Sequence, residues 1–91
     1  MYIYAGKWRY RLRPIISQTL QICIEESTSE FTTRTVLTIV DLEAIEYMHR
    51  KDQCRSTPQY ACVCDQTLFL HPTPQKVTKL HLTYYPPAQI L

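Results

Sequence analysis

Apolar and polar residues alternate along most of this chain, and a period of two is the pattern of strands that bury one face and wet the other. In Tyr2 to Arg13, Trp8, Tyr10 and Leu12 fall on one side and Lys7, Arg9, Arg11 and Arg13 on the other, until Pro14 ends the run. Thr19 to Glu25 repeats the pattern, with Leu20, Ile22 and Ile24 set against Gln21, Cys23 and Glu25. Glu26 to Glu30 is a polar loop. Phe31 to Ile39, rich in β-branched residues, predicts a third strand whose polarity on both sides leaves its register open.

The period changes once. Leu42, Ile45 and Met48 recur every three residues, so Asp41 to Arg50 predicts a short helix. Asp41 suits its N-cap, Val40 and Ile45 suit a hydrophobic staple, and Arg50 and Lys51 suit the negative end of its dipole. Beyond the polar stretch Asp52 to Pro58, Tyr60 to Cys64 and Thr67 to His71 read as strands joined through Asp65 and Gln66, a two-residue hairpin without the glycine such turns favour. Pro72 and Pro74 turn the chain. Val77 to Tyr84 then alternates again, with Leu80, Leu82 and Tyr84 on the inner face, and Pro86 and Pro87 stop it. The expected fold is mainly β: a small antiparallel sheet, or a sandwich or barrel, with one short α-helix. One domain covers 1–91, with three strands in 1–39, the helix at 41–51, three strands in 59–85 and an apolar tail at 86–91.

Composition narrows the function classes. A hydrophobic fraction of 45% is that of a folding chain, and a net charge of +2 does not by itself mark a nucleic-acid binder. The apolar runs are too short to span a membrane, and the cations from Lys7 to Arg13 break up any export signal, so neither membrane nor secretion is expected. Without export, the four cysteines are expected as free thiols. Cys54, Cys62, Cys64 and His71 could supply zinc ligands, but Cys62 and Cys64 form a C-x-C on one strand face, not the C-x2-C of structural zinc, so no metal is expected. His49, His71 and His81 are scattered over three elements, the serines lack a G-x-S-x-G context, and a lone glycine cannot build a phosphate-cradling loop. No catalytic residue, cofactor or small-molecule substrate is therefore expected.

The face bearing Lys7, Arg9, Arg11 and Arg13 is the candidate contact surface, for DNA in a channel or for an acidic partner. Stacking a base while holding its phosphate requires aromatic and cationic groups on a shared groove, whereas alternation sends Trp8 and Tyr10 to the side opposite the arginines. That places the two rings in a core or in a subunit contact. Tyr84, Tyr85, Ile90 and Leu91 are the other candidate subunit contacts, since an apolar tail needs something to pack on.

Taken together, Leu42 to Met48, Pro58 to Ala61, Asp65, Leu68 to Leu70, His71 to Pro74 and Leu80 to Pro87 resemble, in order and spacing, the β-domain of head-to-tail adaptor proteins of short-tailed phages. That family runs a short Leu-Glu helix, a Pro-aromatic-Ala strand, an acidic turn, a Leu-rich strand, a Pro-Thr-Pro turn and a strand ending in Tyr and prolines. The chain departs from it where Gln66 replaces the glycine after the turn aspartate, and the N-terminal helical region of the family is absent. The resemblance implies a non-enzymatic virion structural protein, assembled in the host cytoplasm, that forms a ring as a head-tail connector or tail component. Its implied partners are portal, tail or capsid subunits and copies of itself, with nucleic acid met only as non-specific channel contact. A capsid decoration protein and a small OB-like nucleic-acid-binding module are the alternatives.

Overall fold

The structure, a computed structural model, describes residues 1–13 and 18–85. Pro14, the tail at 86–91 and the side chain of Leu20 lie outside the described residues. The elements are β1 (Tyr2–Ile3), β2 (Arg9–Arg11), β3 (Gln18–Ser27), β4 (Thr32–Val36), β5 (Thr38–Ile39), α1 (Leu42–Lys51), β6 (Tyr60–Cys64), β7 (Thr67–His71) and β8 (Thr78–Tyr85). They form two four-stranded sheets, ordered β1-β8-β3-β4 and β2-β7-β6-β5. The expected mainly β fold with one short helix is what the chain adopts, in its sandwich form. One pairing departs from the antiparallel expectation: β5 runs parallel to β6, because α1 carries the chain back between them.

The two sheets meet through alternate residues. Ile3, Ile22, Ile24 and Leu80 from the first sheet and Tyr10, Leu12, Ala61, Leu68 and Leu70 from the second form one buried cluster, with Leu37 where the chain passes between sheets. Each fully buried Ile or Leu contributes about 1.5–3 kcal/mol relative to exposure. Tyr10 fits an apolar interior because its hydroxyl is satisfied: it accepts the Tyr4 amide N–H (2.8 Å) and donates to the Lys7 carbonyl (2.6 Å).

Two of the expected strands are each divided. Tyr2 to Arg13 is not one strand, since the chain turns at Ala5 and Gly6, where Gly6 takes φ +79°, and β1 and β2 join different sheets. Phe31 to Ile39 is likewise split at Leu37, so β4 belongs to the first sheet and β5 to the second. The C-terminal half follows its pattern closely. α1 is capped by the Asp41 carboxylate, which accepts the Ala44 N–H at 2.9 Å, and its last turn carries His49, Arg50 and Lys51. The β6–β7 hairpin turns through Asp65 and Gln66 at φ 51° and 60°, so two non-glycine residues provide the left-handed pair such a turn requires. The His71–Pro72 peptide is cis.

Leu68 and Leu70 point into the core, so strand alternation sends Phe69 and His71 to the other face of β7, and α1 covers that face by packing on β6 and β7. Ile45 is the fully buried residue of the helix.

Candidate assembly surface

The basic face begins where expected. Lys7, Arg9, Arg11 and Arg13 are all exposed, and β2 is the outermost strand of its sheet. Tyr10 and Leu12 turn inward, as alternation predicts, so Tyr10 belongs to the core and offers no surface to a neighbour.

Trp8 does not follow Tyr10. Its ring stacks on His49 of α1 (centroids 3.7 Å apart, planes 11° apart) and tilts against Phe69 (5.6 Å, 55°), which places it on the helix-bearing face. The guanidinium of Arg9 lies 5.6 Å from the centroid of the same ring. Trp8 lies just before β2 and after the turn at Gly6; its carbonyl still accepts the Leu70 N–H at 2.9 Å, but its ring does not follow the alternation of β2. The expectation that every aromatic is separated from the arginines is therefore corrected: Trp8, Arg9, Phe69 and Arg50 line one shallow recess.

Tyr84 is half-buried, packs against the core and shares the wall of a second recess with Arg11 and Arg13. The side chain of Tyr85, together with Ile90 and Leu91, lies outside the described residues.

The histidines are less dispersed than the sequence suggests. His49 and His71 come close enough at the end of α1 for their charges to interact, and the Nδ1 atom of each is buried without a hydrogen-bond partner. Burial, then His71 and Arg9, hold the His49 imidazole below its ordinary pKa. His81, on β8, bonds through Nε2 to Glu25 Oε1 at 3.1 Å. Glu25 also meets Arg34 at 3.3 Å and Lys79 at 4.0 Å, joining three adjacent strands on the outer face of the first sheet. Burial alone raises the Glu25 pKa, but the His81 hydrogen bond, the Lys79 charge and Arg34 outweigh it and hold the carboxyl below the usual range.

All four cysteines are free thiols. Cys23 and Cys62 are buried, and burial followed by the charge of Cys64 pushes the Cys62 thiol up. Cys54 is exposed and donates to Asp52 Oδ2 at 3.4 Å, a hydrogen bond that also raises its pKa. Cys54, Cys62, Cys64 and His71 do not converge, and no group of three or more metal-ligating side chains does so among the described residues.

One feature escaped the sequence reading. All five residues of β4 are exposed, on both faces, although it is the edge strand of its sheet. Sheet edges are normally guarded by brevity or charge. β1 and β5 have two residues each, and β2 has three, two of them arginines. β4 is longer, and its one charge, Arg34, is engaged by Glu25. Phe31, just before it, is 62% exposed, and Val36, its last residue, 58%. The polarity of Phe31 to Ile39 on both sides was the available signal.

A scan against protein-family models finds no match to this chain, and a search of curated proteins finds no relative of it.

Proposed function

We propose that this chain is a non-enzymatic structural subunit of a tailed-phage particle, acting at the head-tail connector or tail by assembling with copies of itself and with neighbouring virion proteins. The observation that carries the reading is β4, a five-residue edge strand exposed on both faces, with bare apolar side chains at Phe31 just before it and at Val36, its last residue. An unguarded edge is a hazard to a free monomer and a template for pairing to a subunit. A chain of 91 residues also has a small core, to which repeated subunit contacts add stability. The adaptor-like motifs support the placement: they occupy α1, β6, the Asp65–Gln66 turn, β7 and β8, the continuous half of the fold.

Cryo-electron microscopy of particles from a phage encoding the chain tests this. Density for the domain in a ring on the tail axis is expected. Density on the icosahedral lattice would make the chain a decoration protein, and its absence from purified particles would overturn the structural reading.

One observation favours a second reading, a nucleic-acid-binding module: Trp8 and Arg9 share a face, as base stacking and phosphate contact require. That reading expects DNA retention at low salt that falls steeply as salt rises.

A further inference from the structure

β8 is covered along only part of one edge. β3 pairs with it from Lys79 to Tyr85, whereas β1, on the other side, pairs only with Thr78 and Lys79. One further rung joins Met1 to Leu80: the Leu80 N–H donates to the Met1 carbonyl (2.8 Å), and the Met1 nitrogen donates to the Leu80 carbonyl (3.0 Å). Successive residues of an antiparallel strand bond to opposite neighbours, so Leu82 and Tyr84 aim their N–H and C=O groups to the same side as Leu80. Among the described residues, none meets those four groups. Burial changes at the same point. Leu80 is 1% exposed, whereas Leu82 and Tyr84, on the same face of β8, are half-buried. They open onto the recess already noted with Arg11 and Arg13, a cleft of about 550 Å³ that Leu12 lines from the second sheet. That volume is ample for a few residues of extended chain. Both arginines are exposed, and no carboxylate lines the cleft among the described residues.

We propose that this cleft takes an extended, net-anionic segment of a partner protein, which joins the first sheet as a strand beyond Met1. The segment runs antiparallel to β8, in line with β1, and its backbone satisfies Leu82 and Tyr84. Segment residues that bond to Leu82 and Tyr84 share their inward face, so alternate positions are apolar and complete the burial that stops at Leu80. Arg11 and Arg13 attract a segment with carboxylates between those positions and repel a basic one. The site lies apart from β4 and does not rest on the virion reading, since strand capture is measurable on the isolated chain.

The test titrates the full chain into a fluorescein-labelled hexapeptide that alternates valine and glutamate, with anisotropy as the readout. Saturable binding is expected, and amide shifts in a nitrogen–proton correlation spectrum should cluster at Leu82 and Tyr84. Methylating the valine nitrogens, which face β8, is expected to abolish binding, whereas methylating the glutamate nitrogens leaves it in place. Lysine for glutamate in the peptide, or Arg11→Glu with Arg13→Glu in the protein, is expected to weaken binding at least about tenfold, and the lysine peptide should prefer that variant. Absence of saturable binding, or equal binding by the two methylated peptides, would overturn the proposal. So would amide shifts confined to Thr32 to Val36, which would put the peptide on β4 instead. Binding seen only in an Ile90→Asp, Leu91→Asp variant would make the chain's own tail the occupant and overturn the partner.

Discussion

Ile45 is the point at which α1 is fastened to the sandwich, and Ile45→Ala measures that attachment. The residue is fully buried, and the substitution removes Cγ1, Cγ2 and Cδ1. At about 0.8 kcal/mol per buried methylene the transfer term is about 2.4 kcal/mol, and an unfilled cavity brings the loss to about 3–4 kcal/mol. A domain of 91 residues has a total stability of roughly 5–14 kcal/mol, so the loss is a large fraction of the whole. At roughly 4–8 °C per kcal/mol, a loss of about 3 kcal/mol lowers the melting temperature by roughly 12–24 °C. The protein carries its own reporter, because its single tryptophan stacks on His49 of the same helix. Urea unfolding followed by Trp8 emission and by far-ultraviolet circular dichroism should show an earlier midpoint and a red-shifted folded-state emission. Tyr47→Ala, at a site 55% exposed on the same helix, should stay within about 0.5 kcal/mol of wild type. A loss below about 1 kcal/mol for Ile45→Ala, or an unaltered Trp8 emission, would refute the assignment of Ile45 as the anchor.

Three further outcomes follow from local chemistry. Asp41→Ala removes the cap on the Ala44 N–H and should cost about 1 kcal/mol in urea unfolding, with Asp41→Ser recovering most of it. The His49 pKa is depressed in the folded state, so its contribution to stability is complete above the ordinary value of 6.5 and is lost as pH falls through the depressed value; His49→Phe should remove that acid slope from the urea midpoint while preserving the stack on Trp8. The Glu25 carboxyl is also depressed, so its stabilising contribution is present above about 4.5 and lost as pH falls below it, and Glu25→Gln should flatten that limb of a stability-against-pH curve.

The sequence was most legible where structure is local. α1 and its Asp41 cap, the β6–β7 hairpin and the inward residues of β8 all follow from periods and turn residues within a few positions of one another. The strand from Tyr2 failed at Gly6, a lone glycine inside an alternating run, which is itself a sign of a break. Nothing comparable marks Leu37, because β-branched residues continue on either side of it. The contacts that give the surface its character are non-local. Trp8 meets His49 across the fold, and Glu25 reaches partners on β4 and β8, pairings that depend on strand order and leave no periodic trace.

The strand order also has a temporal consequence. β7 and β8, made late, occupy interior places: β8 separates β1 from β3, and β7 separates β2 from β6. Until β8 emerges from the ribosome, the first sheet lacks the strand that joins β1 to β3. Closure of the first sheet therefore waits on β8, and a nascent chain holds β1, β3 and β4 without the strand that seals them into one layer.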